Sequence, residues 1–259
     1  MRPNPPTNNL DDLIEIVRTV RVECPWDREQ THETIAPQLI EEAYETREAI
    51  AAGDDPELRG ELGDLLLHVV MHAIMAEERS AFTLDDVVRG IAEKMVRRHP
   101  HIYGDGEAAD SEAVKLNWER MKMTEGRVSI LDGMPIALPA LQRAARVQEK
   151  VAGVGFDWPE RADVWNKVRE EIEEFAQEAE SGASPELIEE EFGDLLFTLV
   201  NIARWLKIKP EEALQKATGK FIRRFRAVEE RVKEQGLKME DVGLEGLDLM
   251  WDEVKRGES

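Results

Sequence analysis

One arrangement of carboxylates occurs twice in this chain. Residues 41–64 run EEAYE…ELGD, and residues 170–194 run EEIEE…EFGD. In the first copy Glu42 and Glu45 are three apart, as are Glu61 and Asp64; the second copy gives Glu171 and Glu174, then Glu191 and Asp194. Residues three apart share one helix face, with roughly 5–6 Å between their Cβ atoms. Two such helices packed antiparallel aim four carboxylates at one place. At an effective dielectric near 20, a close pair of unit negative charges repels by about 4 kcal/mol. Such a cluster is tolerated when it ionises around a cation. Glu42, Glu45, Glu61 and Asp64 are therefore read as one set of metal ligands, and Glu171, Glu174, Glu191 and Asp194 as a second.

The repetition continues past the carboxylates. Lys94, Arg97 and Arg98 in the first half correspond to Lys220, Arg223 and Arg224 in the second. Lys94 and Arg98 share a helix face, as do Lys220 and Arg224. Trp118 with Lys122 is matched by Trp251 with Lys255. Each half thus supplies four carboxylates, a Lys/Arg pair, and a Trp with a Lys one turn later. That order suits a nucleotide polyphosphate. Mg²⁺ takes oxygen ligands and bridges carboxylates to phosphates. Lys and Arg neutralise the outer phosphate oxygens, and an indole face stacks on a base. Singly, these elements are ordinary: a basic pair is usually a solvated helix face, and a Trp usually sits in a core. Their ordered duplication points to a site.

The elements that must carry these residues have helical periodicity. Leu13, Ile14, Val17 and Val20 form one apolar stripe, and a second helix spans 34–50 with Pro37 near its first turn. Asp55-Pro56 opens a third, with Leu62, Leu65, Leu66, Val69 and Val70 on its buried side. Thr83 and Asp86 form a capping-box pattern before a fourth helix, which His99-Pro100 closes. Residues 103–111 read as loop and a short helix follows around Trp118. Residues 125–136 (EGRVSILDGMPI) break the pattern with Gly, Pro and Asp. The second half repeats the layout: a helix over 138–151, a GVGFDWP turn, acidic helices over 164–180 and from Pro185, a long helix from Pro210 to about Glu234, and a last helix holding Trp251. The expected fold is all-α, two tandem helical bundles of about four helices each. Their expected bounds are 1–124 and 137–259, joined by a linker over 125–136.

A net charge of −21 over 259 residues argues against wrapping a nucleic-acid polymer, which needs a basic face. No apolar run is long enough to cross a membrane, and the start MRPNPPTNNL has no apolar leader region. The lone Cys24 cannot form an internal disulfide, so the expectation is a cytoplasmic protein. His68 and His72 have zinc-ligand spacing on a helix but read as packing residues, because the second repeat has Thr198 and Ile202 instead. No base is identifiable beside Cys24, and His99 and His101 flank a helix end. A di-iron carboxylate bundle needs Glu-x-x-His ligands on its core helices. Only Glu29 and His32 have that spacing, unrepeated.

Over essentially its whole length the chain resembles the MazG family of nucleoside triphosphate pyrophosphohydrolases in its two-repeat form. The residues that carry the resemblance are Cys24-Pro25-Trp26-Asp27 through Thr31-His32, EEAYE…ELGD, and KMVRRHPHIYGD from Lys94 to Asp105. In the second half they are EEIEE…EEFGDLLFTLVNIAR, KFIRRF from Lys220 to Phe225, and the C-terminal WDEVK. The carboxylate signature alone is shared by a wider all-α pyrophosphatase superfamily; the duplication and flanking motifs narrow it. The resemblance implies hydrolysis of a nucleoside triphosphate between the α and β phosphorus atoms, with Mg²⁺ or Mn²⁺ on the carboxylates, by a dimer of interlocked bundles. Carried over, Glu171, Glu174, Glu191 and Asp194 are metal ligands and catalytic residues. Lys220, Arg223, Arg224 and Lys255 hold phosphates, with Lys220 and Arg224 counted in the catalytic set, and Trp251 lies near the nucleoside. The parallel first site uses Glu42, Glu45, Glu61 and Asp64 with Lys94, Arg98, Trp118 and Lys122. Lys167, one turn before Glu171, is placed to reach a phosphate, whereas its counterpart Gln38 is neutral. The C-terminal repeat is therefore expected to be the main catalyst. A non-catalytic helical module that retains only metal or nucleotide binding is the alternative.

Overall fold

A computed structural model of the chain describes residues 8–105, 114, 121 and 128–258. Among the described residues there are eleven helices and no strand. The chain divides into two compact units, the first carrying six of these helices and the second five.

The first unit holds α1 (Leu10–Glu23), α2 (Pro25–Glu29), α3 (His32–Ala52), α4 (Asp55–Glu78), α5 (Leu84–Arg98) and α6 (Pro100–Tyr103). Local chemistry sets their ends. Thr31 and Thr34 form a capping box that starts α3 at His32, two residues earlier than the sequence pattern places it. Pro37 consequently lies inside the helix rather than in its first turn, and the ladder loses the bond its N–H would give to the Glu33 carbonyl. Gly53, at φ 69°, ends α3 in the left-handed conformation that glycine adopts without strain. Asp54 caps α4 by accepting from the Glu57 N–H, and the expected Thr83–Asp86 box opens α5. α3 and α4 pair antiparallel, and α1 lies against α4. Their shared core is Val17, Ile35, Val70, Met71, Ile74 and Met75.

The expected buried face of α4 needs correction. Val70 is fully buried, but Leu62, Leu66 and Val69 are exposed, and the core contacts come from the C-terminal half, Val70 to Ala76. The N-terminal half, which carries Glu61 and Asp64, keeps an apolar face that the described residues of the first unit leave uncovered.

The second unit holds α7 (Ala140–Ala152), α8 (Arg161–Ser181), α9 (Pro185–Trp205), α10 (Pro210–Glu234) and α11 (Met239–Gly257). α8 and α9 pair as α3 and α4 do, and α8 also ends on a left-handed glycine, Gly182 at φ 77°. Val164, Val168 and Ile202, backed by Trp205, form one core cluster. Val228, Val232 and Val254 form a second between α10 and α11. Each fully buried valine contributes on the order of 1.5–3 kcal/mol by leaving water. α7 packs on α9 and α10, and its Gln148 side chain donates to the Phe197 carbonyl at 2.7 Å. The GVGFDWP turn is tied down by an ion pair between Asp157 and Arg204. Ahead of α7, residues 128–136 follow turns, with Asp132 accepting from the N–H groups of Val128 and Ser129. The short helix expected around Trp118, the loop beyond residue 105 and residues 125–127 of the expected linker lie outside the described residues.

Candidate metal and phosphate site

The antiparallel pairing of α8 with α9 brings Glu171, Glu174 and Glu191 together, each offering a carboxylate oxygen within 4.8 Å of the others. α3 and α4 do the same with Glu42, Glu45 and Glu61. Asp194 lies on an exposed face of α9 but is close enough to Glu191 for its charge to act on that carboxyl. Asp64 is likewise exposed, one turn beyond Glu61, and falls outside the three-carboxylate group.

The electrostatics follow from crowding. Desolvation first, and then the charges of Glu174, Asp194, Glu171 and Glu178, push the Glu191 carboxyl above its ordinary range. Glu61 is raised for the same reasons, by desolvation, the charge of Glu45, and a hydrogen bond and charge from Glu42. Each trio thus crowds negative charge onto one carboxyl, Glu61 in the first and Glu191 in the second. The donors are all carboxylate oxygens, the ligand type that hard divalent cations such as Mg²⁺ and Mn²⁺ take. An upper limit of 4.8 Å on their separations is compatible with the roughly 4.2 Å that opposite oxygens span across an Mg²⁺ with ligands at about 2.1 Å. The residues present fit such an ion.

The second site has a feature the first lacks. Glu171 is 4% exposed, and the Lys167 ammonium lies 2.9 Å from its carboxylate and 2.6 Å from that of Glu170. Hydrogen bonds to these two carboxylates hold the Lys167 ammonium well above its usual range. Lys167 is thus the counter-ion of the buried Glu171 carboxylate, on the face the sequence pattern assigns to it.

The basic residues of the second unit meet between α10 and α11. Arg224 of α10 and Asp252, Lys255 and Arg256 of α11 line an open cavity of about 480 Å³. Lys255 pairs with Asp252 at 2.9 Å. Trp251 is half-buried against the core between α10 and α11; the Phe221 ring sits 5.0 Å from it and the Arg224 guanidinium 5.9 Å. Arg224 also grips Glu258, with Nε at 2.7 Å and Nη2 at 2.6 Å from one carboxylate oxygen. Lys220 and Arg223, both exposed, act electrostatically on that same carboxylate. In the first unit Lys94 and Arg98 lie one turn apart on α5. Trp118 and Lys122 lie outside the described residues.

Two groups escape the sequence pattern. Glu258 sits in the basic cluster seven residues beyond Trp251; Glu125 has the same spacing from Trp118, but the sequence pattern gives neither carboxylate a partner. His32 stacks on His72, with their Nδ1 atoms 2.8 Å apart and His68 beside them. Partners forty residues apart in sequence leave no local spacing to read.

Comparison with known proteins adds to this geometry. The model of the MazG nucleotide pyrophosphohydrolase domain matches twice, over residues 30–103 and 162–228. The chain is 47% identical to the nucleoside triphosphate pyrophosphohydrolase of Escherichia coli (strain K12), an alignment covering 97% of this chain and 98% of that protein. It is 43% identical to the nucleoside triphosphate pyrophosphohydrolase/pyrophosphatase MazG of Thermotoga maritima, over 96% of each. It is also 48% identical to the protein YabN of Bacillus subtilis, over 91% of this chain and 49% of that longer protein.

Proposed function

The chain belongs to the MazG nucleotide pyrophosphohydrolase family, and from that premise we propose that it hydrolyses nucleoside triphosphates between the α and β phosphates, giving a nucleoside monophosphate and pyrophosphate. The observation that carries the reading is the pair of carboxylate trios, each built by one antiparallel helix pair and each matched to the family domain.

Each side chain has a task in this reaction. Glu171, Glu174, Glu191 and Asp194 hold the metal in the second repeat, as Glu42, Glu45, Glu61 and Asp64 do in the first. When bound, Mg²⁺ or Mn²⁺ supplies Lewis-acid polarisation of the phosphoryl oxygens and lowers the pKa of attacking water. Lys220, Arg223, Arg224 and Lys255 bind the phosphate chain and absorb the charge that develops on the departing pyrophosphate. Lys167 neutralises the buried Glu171 and lies within reach of the phosphates. Trp251 offers its ring to the nucleoside. A carboxylate of the acidic helices accepts the proton of the attacking water.

The C-terminal repeat is the main catalyst in this account, because Lys167 has only the neutral Gln38 as its counterpart. The repeats are bounded at 1–124 and 137–259, with 125–136 as linker. The working form is a homodimer. Support comes from apolar residues left exposed beside the carboxylates: Ile172, Phe192, Leu196, Phe197 and Leu199 in the second unit, and Leu62, Leu66, Leu67 and Val69 in the first. Clustered exposed apolar side chains of this kind mark a contact surface when they form one patch. No helix among the described residues is long and apolar enough to cross a membrane, and the single free Cys24 suits a reducing, cytoplasmic setting.

The test is pyrophosphate release from nucleoside triphosphates by Glu191→Gln and Asp194→Asn. Both should lose turnover by at least about a hundredfold while their helicity stays unchanged, as the loss of a ligand or oriented group in a metal site implies. Wild-type turnover in both variants would remove the second site from the mechanism.

A further inference from the structure

The basic residues nominated for phosphate already hold an anion. Glu258 caps the end of α11, and its carboxylate is gripped by Arg224 through both Nε and Nη2. Lys220 and Arg223 approach from α10 and contribute to the field on it. An Arg fork, with Lys and Arg beside it, is the arrangement that recognises a phosphate oxyanion. We propose that the Glu258 carboxylate is an internal competitor for the substrate's phosphates, closing the Arg224 fork until a polyphosphate displaces it. This rests on the assignment of Lys220, Arg224 and Lys255 to the phosphate chain given above.

The placement suits a gate that opens at little expense. Glu258 is the cap residue just past the helix end at Gly257, and its side chain remains 40% exposed, so it swings away without disturbing the core of Val228, Val232 and Val254. The hydrogen bond to Arg224, with the charges of Arg224, Arg223 and Lys220, outweighs burial and holds its carboxyl below the ordinary range, so it is anionic at neutral pH. A half-exposed ion pair is worth at most about a factor of five in population. A closed state of that weight weakens every ligand that needs Arg224 by one common factor, because only the open fraction binds. Substrate and pyrophosphate must therefore share the effect.

The experiment measures binding of inorganic pyrophosphate to the full chain by calorimetry in Mg²⁺, together with KM for a nucleoside triphosphate, in wild type, Glu258→Gln and Glu258→Ala. Glu253→Gln, whose carboxylate pairs instead with Arg231, serves as control. Both Glu258 variants should bind pyrophosphate about two- to sixfold more tightly and lower KM by the same factor; the control should do neither. Weaker binding in the Glu258 variants would mean that the carboxylate positions Arg224, and unchanged binding would make it a surface pair; either result overturns the competitor. If instead Lys220→Ala and Arg224→Ala leave pyrophosphate affinity at the wild-type value, the phosphate assignment itself fails, and the inference falls with it.

Discussion

Lys167→Ala is the perturbation whose consequence is worked most fully from the geometry. Glu171 is buried and faces Glu174 and Glu191, and its described counter-charge is the Lys167 ammonium at 2.9 Å. Removing one partner of a fully buried pair costs about 3–5 kcal/mol, whereas exposed pairs contribute about 1 kcal/mol or less. Here the carboxylate is 6% exposed and the lysine 31%. The loss therefore belongs between these limits, about 1–2 kcal/mol in metal-free protein. For a unit of this size that lowers the melting temperature by about 2–8 °C. A divalent cation on the trio would replace the missing charge, so saturating Mg²⁺ should shrink the deficit to less than half. The assay is thermal unfolding of wild type and variant in EDTA and in excess Mg²⁺, followed by calorimetry. Equal deficits in the two conditions would refute the reasoning, as would a variant as stable as wild type without metal.

Three further outcomes are expected. Glu191 has its carboxyl raised by desolvation and by Glu174, Asp194 and Glu171; its contribution to stability is full below about pH 4.5 and lost as pH rises through the elevated value. Glu191→Gln should abolish that loss in metal-free pH titrations of stability, and with it the gain on adding Mg²⁺ in the second unit. Burial, with the nearby His32 and His68, lowers the pKa of His72, while the charges of His32 and Arg79 both act on Glu33. The contribution of His72 to the stability of the first unit should be full above about pH 6.5 and be lost as pH falls from there through the lowered folded value, because the unfolded chain binds the proton first. A His32→Phe, His72→Phe double variant should flatten this acid limb, read by hydrogen exchange of α3 and α4. Finally, Lys220→Ala should weaken triphosphate binding more than monophosphate binding, by several-fold; equal losses in a titration of both ligands would count against a phosphate role.

Much of this was legible in the sequence because helices report through short-range spacing. The Thr83–Asp86 box and the Pro185 and Pro210 helix starts rest on such local signals and appear where the pattern puts them, and three of the four carboxylates of each set come together, with Asp64 and Asp194 outside the trios. Lys167 was legible for the same reason, as the i,i+4 neighbour of Glu171. What periodicity misread was solvent exposure. Leu62, Leu66 and Val69 have the spacing of a core face, yet they are exposed, because an apolar stripe does not say whether its cover comes from the same chain. Contacts across long separations were silent as well. The His32–His72 stack and the Arg224–Glu258 pair each need the folded helix pair to exist before either residue acquires its partner. Pro37 shows a local signal overridden, the Thr31 cap fixing the helix start despite a proline inside.

The most direct measurement is identification by ³¹P NMR of the products formed from a panel of nucleoside triphosphates and deoxynucleoside triphosphates, with and without Mg²⁺. Wild type, Asp64→Asn and Asp194→Asn would be compared in the same series. The predicted result is metal-dependent nucleoside monophosphate and pyrophosphate, retained in Asp64→Asn and lost in Asp194→Asn. Nucleoside diphosphate with orthophosphate, or no pyrophosphate from any nucleotide, would contradict the proposed cleavage.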